Sequence, residues 1–193
     1  MIKYYKEVLS QMEEVASADA NWVNIAPPFD HNELGTISSE YSIEYDLLAD
    51  SLDIDERSGY ERDDNLNFLL INTPVLNQDK NDRGPIYVTA PIGIFLLEDQ
   101  RVLTISSLEN PVLKRFEKGY IKFSEPLNQV SFTLKILEQT VIEFLRCLKK
   151  LNLRRNLIEQ ELYNSSRNRE LQQLLRIEKS LVYFVNSISD NDL

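Results

Sequence analysis

The spacing of the apolar residues changes near residue 124, and this change divides the chain into two unlike parts. Up to about residue 120, apolar residues form short runs bounded by turn residues, which is typical of strands. From residue 124 to residue 190 they recur every three or four positions, as in long amphipathic helices. We therefore predict an α/β part, residues 1–123, followed by a helical part, residues 124–193.

The helical part predicts two long helices that pack antiparallel. A start pattern at residues 124–126 opens a heptad stripe, and a polar break at residues 164–166 separates it from a second stripe. Such a stripe packs either on the neighbouring helix or on another subunit. The first stripe comprises Val130, Leu134, Leu137, Val141, Phe144, Leu148, Leu151, Ile158 and Leu162, and the second comprises Leu174, Ile177, Leu181, Phe184 and Ile188.

The α/β part predicts five strands and two short helices. One helix is expected over residues 41–52, where apolar residues share a face, and another begins at Asn110 and Pro111 and ends at Gly119. β-branched residues favour strands over helices in the remaining apolar runs. These predicted strands are residues 1–8, 22–25, 66–76, 86–97 and 101–106, the last two forming a hairpin.

Residue counts exclude several classes of site. His31 is the only histidine and Cys147 the only cysteine, so one chain cannot build a Ser-His-Asp triad or a Cys/His zinc site. The closest glycines, Gly84 and Gly93, are nine positions apart, which excludes glycine-rich phosphate loops. The sequence contains no run of about 18 apolar residues, so it predicts no membrane helix. We expect no enzyme activity and, without clustered Lys and Arg, no nucleic-acid partner.

The whole charge imbalance of the chain lies in residues 30–64. The chain has 31 acidic and 21 basic residues, a net charge of −10, and this window holds 12 acids and two arginines. Such a segment attracts cations. It is either a solvated face that favours solubility or a surface that binds magnesium. The candidate metal ligands are Asp50, Asp53, Asp55 and Glu56. An EF-hand loop is excluded, because Arg57 takes its third ligand position.

Six short motifs, in the same order, resemble the cytoplasmic N-terminal part of the CorA-type magnesium and cobalt transporter family. Ser58 and Gly59 depart from it, since the family usually has a proline and a basic residue there. The family's Gly-Met-Asn pore signature is absent, and we expect its stalk and membrane helices to lie beyond Leu193, outside this chain. The motifs are residues 22–25, 48–52 with 55–57, 65–70, 91–96 with 101–105, 110–113 and 178–185.

The resemblance implies a three-layer α/β/α fold with a mixed, mostly antiparallel central sheet, followed by the long antiparallel helical pair. The resemblance also implies that the chain is the cytoplasmic regulatory domain of a divalent-cation channel in the cell membrane. The complete channel is expected to be a homopentamer, and the transported ion to be magnesium or else cobalt or nickel. In that family, Mg²⁺ bound weakly between subunits screens acidic residues and holds the closed state. The family's sensing aspartate falls on Asp50. The open alternatives are a soluble α/β/α enzyme using carboxylate-bound metal and a scaffold that dimerises through residues 130–162.

Overall fold

The computed structural model describes residues 1–28, 31–63, 66–78, 83–123, 127–164 and 168–192. Its centre is a seven-stranded sheet with the spatial order β2-β1-β3-β7-β6-β5-β4. Only β3 and β7 are parallel, so the predicted mixed, mostly antiparallel sheet is confirmed. The strands are β1 (Ile2–Val8), β2 (Gln11–Glu14), β3 (Trp22–Ile25), β4 (Gly59–Asp63), β5 (Leu66–Leu76), β6 (Tyr87–Leu96) and β7 (Val102–Ile105).

Helices cover both faces of this sheet, which gives the expected three layers. The helices are α1 (His31–Tyr41), α2 (Tyr45–Asp50), α3 (Pro111–Glu117), α4 (Gln129–Asn164) and α5 (Asn168–Asp190). On one face, Trp22 packs against Phe116 of α3 and Phe132 of α4. On the other, buried side chains of α1 and α2 form a second cluster with Phe68 and Phe95. Covering both faces explains why β3 and β7 are buried at every position instead of at alternate ones.

The two long helices form the predicted antiparallel pair. Phe144 of α4 meets Phe184 of α5 with ring centroids 5.2 Å apart, and Arg154 lies 3.4 Å from Gln173 further along. The hydroxyl of Ser180 accepts hydrogen bonds from two backbone N–H groups at the start of β6, at 2.9 and 3.0 Å. The pair is therefore attached to the sheet. The predicted start at 124–126 and residues 165 and 166 of the predicted break lie outside the described residues.

Part of the predicted α4 stripe is wrong. Val130, Leu134 and Val141 are 62%, 60% and 59% exposed, while Phe132 and Ile136 are fully buried. The sheet and α3 select this other face of α4, and only from Phe144 onward do the predicted positions face α5. A heptad pattern identifies an apolar stripe but does not determine which neighbour the helix meets.

The helix predicted over 41–52 is confirmed as the shorter α2, Tyr45–Asp50, because Tyr41 ends α1 instead. Ser42 has a positive φ of 54°, which ends α1 and turns the chain into α2. β2 and β4 were not predicted, because their sequences are polar. α1 was not predicted either, although Leu34, Ile37 and Tyr41 recur at helical spacing and are buried together. The strand bounds 22–25 and 66–76 and the hairpin of β6 and β7 are confirmed.

Candidate functional site

The end of α2 lies directly against the sheet, and a glycine permits this contact. Ser51, the residue after α2, is fully buried and its hydroxyl donates to the carbonyl of Leu47 at 2.8 Å. A Cβ on Gly93 of β6 would lie only 2.1 Å from Ser51 Oγ. Because Gly93 has no side chain, α2 can approach this closely. The contact determines the position of Asp50, the last residue of α2, relative to the sheet.

The acidic loop, residues 51–58, follows α2 and is held by local hydrogen bonds. The carboxylate of Asp53 accepts from the N–H of Asp55 at 2.9 Å, which forms an Asx turn. Further along, the Glu56 carbonyl accepts from the side-chain amide of Asn72 at 3.1 Å. The loop is therefore tied both to itself and to β5. Asp53 and Asp55 remain exposed, whereas Asp50 and Glu56 are half-buried.

Negative charge is concentrated around Asp50. Partial burial raises the pKa of the Asp50 carboxyl, and the neighbouring carboxylates of Glu56, Asp46, Glu61 and Asp53 raise it further. No salt bridge between described residues involves any of these acids. Within the described ranges the surface therefore has no paired counterion, and a bound cation would relieve the repulsion.

The fold brings together three of the four predicted ligands. Glu56 and Asp53 lie near enough to Asp50 to raise the pKa of its carboxyl, whereas Asp55 is not among the carboxylates that affect Asp50. Asp46 and Glu61 join the group and were missed by the sequence reasoning. Asp46 precedes Asp50 by one helical turn, so its spacing was informative. Glu61 comes from β4, and the sequence gives no indication that β4 lies beside α2.

One chain presents these carboxylates as a surface. In the described ranges, no three acidic, histidine or cysteine side chains converge as a complete metal site. Magnesium needs only one or two carboxylates, because it retains most of its water ligands. A surface of this kind can therefore hold a hydrated divalent cation weakly, or share one with a second molecule.

The negative surface continues into a neighbouring cavity of about 700 Å³. Arg101 pairs with Asp99 there at 2.5 Å and lies over the ring of Tyr41, 5.4 Å from its centroid. The remaining charged side chains lining the cavity are mostly acidic: Glu40, Glu44, Glu61, Glu98 and Arg62. Glu61 belongs to both regions, so the cavity extends the field that attracts cations.

Cys147 does not contribute a reactive thiol to any such surface. The side chain is only 2% exposed, and burial, with the carboxylate of Glu143, raises its pKa to about 12. The neutral thiol is neither a nucleophile nor a metal ligand. It packs in the cluster between α4, α5 and the start of β6, as a small apolar group.

Comparison with known proteins identifies a family whose model matches most of the chain. The family model described as CorA-like Mg²⁺ transporter protein matches residues 17–192. No curated protein matches the chain in sequence at a significant level. Among the helices that the structure describes, none combines the length and apolar character needed to cross a bilayer.

Solved structures share the fold at low sequence identity. The complete CorA magnesium transporter of Methanocaldococcus jannaschii superposes with a TM-score of 0.78 at 23% identity, covering 98% of this chain and 59% of that one. The soluble domain of the same protein superposes with a TM-score of 0.78 at 22% identity, covering 99% of this chain and 76% of that domain. The ZntB cytoplasmic domain of Vibrio parahaemolyticus superposes with a TM-score of 0.64 at 12% identity, covering 98% of this chain and 75% of that domain. The chain thus spans 59% of the length of the complete transporter that it resembles.

Proposed function

The chain belongs to the family of CorA-like Mg²⁺ transporter proteins, and from this premise we propose that it is the regulatory cytoplasmic domain of a divalent-cation channel. Magnesium is the proposed ion, with cobalt and nickel as alternatives. The complete protein is proposed to be a homopentamer whose membrane helices lie outside these residues. The observation that carries the proposal is the negative surface around Asp50, which has no counterion among the described residues.

The proposed mechanism is electrostatic. Asp50 lies at a helix end that packs tightly on the sheet through Ser51, so its backbone is fixed beside the loop that carries Asp53 and Glu56. When a divalent cation screens these groups, the acidic surfaces of neighbouring subunits can approach. Without the cation the carboxylates repel and the interface loosens. The hardness of Mg²⁺ suits carboxylate ligands, and its retained waters suit a weak, shared site.

The test compares melting temperature and association in MgCl₂ with those in NaCl of matched ionic strength. A ligand present at about ten times its Kd stabilises a protein by about 1.4 kcal/mol, or a few degrees in Tm. We expect this rise in the wild type and only a small remainder in Asp50→Asn. Glu178→Gln, which removes an exposed acid on α5, should respond like the wild type.

Sedimentation velocity on the same samples shows whether association accompanies the stabilisation. Equal responses to magnesium and sodium in all three proteins would refute the proposed sensing role.

One observation supports the alternative that the chain is a scaffold that dimerises through residues 130–162. Val130, Leu134, Val141 and Leu145 lie on one face of α4 and are 59–62% exposed. An apolar stripe of this kind is typical of a helix that meets another molecule. Self-association through α4 is compatible with the regulatory role. We do not propose the carboxylate-metal enzyme, because no converging group of acids in the described residues supports it.

A further inference from the structure

The end of α5 is attached to the sheet by a side chain that takes the place of a strand. β4 pairs with β5 only as far as Leu70, so the backbone of Asn72 would otherwise face an open edge. The amide of Asn191 fills this place, because its Oδ1 accepts from the Asn72 N–H at 2.9 Å and its Nδ2 donates to the Asn72 carbonyl at 2.8 Å. Two such bonds to one residue reproduce the pairing that a neighbouring antiparallel strand would supply.

Ser58 connects this contact to the acidic loop, of which it is the last residue. Its hydroxyl donates to Asn191 Oδ1 at 2.5 Å and accepts from the side-chain amide of Asn72 at 3.2 Å. The same Asn72 amide donates to the carbonyl of Glu56 at 3.1 Å. Asn72 is only 4% exposed, and Ser58 and Asn191 are half-buried, so water competes little for these bonds. We call Ser58, Asn72 and Asn191 the Asn191 junction.

The resemblance to the family does not account for Ser58, which departs from the family motif. A proline at this position would have no side-chain donor or acceptor, so it could form neither of the two bonds that the hydroxyl makes. The direct link between the acidic loop and α5 therefore depends on a residue particular to this sequence.

α5 has two other polar contacts with the sheet, and they differ from the Asn191 junction in what they reach. Ser180 binds the start of β6, and the hydroxyl of Ser187 donates to Thr89 Oγ1 at 2.8 Å. Positions 180, 187 and 191 lie along one face of the helix. Among the described hydrogen bonds of these three residues, only those of Asn191 reach the acidic loop.

The repulsion around Asp50 acts on this same loop. Asp53 and Glu56 belong to the loop and lie near enough to affect the Asp50 carboxylate. Asp50 itself is held beside the sheet through Ser51, so mutual repulsion favours displacement of the loop rather than of the helix end. Because the Glu56 carbonyl and the Ser58 hydroxyl are bonded to Asn72 and Asn191, a displaced loop weakens the attachment of α5.

We propose that the Asn191 junction couples the charge of the acidic loop to the attachment of the end of α5. The inference rests on the proposed function, and it identifies the residues that carry a signal from the acidic surface to the long helices. When the carboxylates are unscreened, the loop is displaced and the junction opens more often. When their charge is removed or screened, the junction closes and holds the helix end. The three residues are positioning residues, since their side chains are uncharged.

The test measures amide hydrogen exchange by NMR on the 193-residue chain, at pH 7 in EDTA, so that it requires no divalent cation. Amides in the last turn of α5 exchange by local opening, so they report on the junction rather than on global unfolding. Asp50→Asn removes one repelling charge and should slow their exchange by about fivefold or more. Glu13→Gln removes an exposed acid on β2, at the opposite edge of the sheet from β4, and should leave the exchange unchanged.

Ser58→Ala distinguishes a coupling role from a purely structural one. This variant removes the direct link to the loop but keeps both bonds between Asn191 and Asn72, so the helix end stays attached. In the Ser58→Ala background, Asp50→Asn should change the exchange by less than about twofold, and Ser58→Thr, which keeps a hydroxyl, should retain the full response. An equal response to Asp50→Asn with and without the hydroxyl, or no response in the wild type, would overturn the proposal.

This result is separate from the magnesium test of the sensing role. Exchange that responds to Asp50→Asn through Ser58, in a protein whose melting temperature does not respond to MgCl₂, would keep the junction and refute sensing. A magnesium response without coupling between Asp50 and Ser58 would do the opposite.

Discussion

The contact between Gly93 and Ser51 predicts that Gly93→Ala destabilises the fold and disturbs the base of the acidic surface. The added Cβ would lie 2.1 Å from Ser51 Oγ, 2.7 Å from Ser51 Cβ and 3.1 Å from a methyl group of Ile105. Favourable carbon–carbon contacts require about 3.5–4.0 Å, so Ser51 has to move by about 1 Å. The serine is fully buried and hydrogen-bonded to Leu47, which leaves it no free direction.

The size of the effect follows from two opposing contributions. Inserting atoms into a packed core costs about 1–3 kcal/mol. Replacing glycine with alanine in a strand returns about 0.5–1 kcal/mol, because the unfolded chain loses conformational freedom. We therefore expect Gly93→Ala to lower the free energy of unfolding by about 1–2 kcal/mol. Urea denaturation followed by circular dichroism measures this difference directly.

A double-mutant cycle shows whether the serine is the cause. Ser51→Gly removes the two nearest atoms, at a cost of about 1–2 kcal/mol for the lost hydrogen bond and the added flexibility. With the clash gone, Gly93→Ala in this background should be neutral or slightly stabilising, a coupling of about 1–2 kcal/mol between the sites. A single variant within about 0.5 kcal/mol of the wild type, or strictly additive effects, would refute this account.

Two further outcomes are expected. The raised pKa of Asp50 means that the folded protein holds this proton more tightly than the unfolded chain does. Above the folded pKa, the charged carboxylate therefore opposes folding. This destabilisation disappears as the pH falls towards 3.8, the ordinary pKa of the group. Asp50→Asn should therefore raise Tm at pH 7 and leave it unchanged near about pH 3.5, and a lower Tm at pH 7 would contradict this. Replacing Leu134 and Val141 with glutamate should abolish self-association in light scattering while changing Tm little, since both side chains are exposed. Association equal to that of the wild type would exclude the α4 stripe.

Elements whose signals are local were predicted well. For α3, Asn110 Oδ1 accepts from the N–H of Val112 at 3.0 Å, Pro111 follows it, and Gly119 takes a φ of 64° beyond the helix end. Each of these depends on residues a few positions apart, so the sequence pattern contains the cause. α1 was missed although the three side chains that it buries, Leu34, Ile37 and Tyr41, stand at helical spacing, because the polar residues between them were interpreted only as charge.

The candidate site also has features that the local sequence predicts and features that it does not. The confinement of the charge to residues 30–64 and the position of Asp50 at a helix end were available from the sequence. The approach of Glu61 to Asp50 was not, because it depends on β4 pairing with β5 at the edge of the sheet.

The sequence by itself determined the periodicities, the helix caps and the location of the negative charge, because these depend on the order and spacing of neighbouring residues. Only the tertiary structure decided which face of α4 is buried and that Asn191 meets Asn72, 119 positions earlier. Such contacts depend on the order of strands in the sheet and on which helix crosses its edge. Which acids come near enough to Asp50 to repel it is therefore a property of the assembled fold.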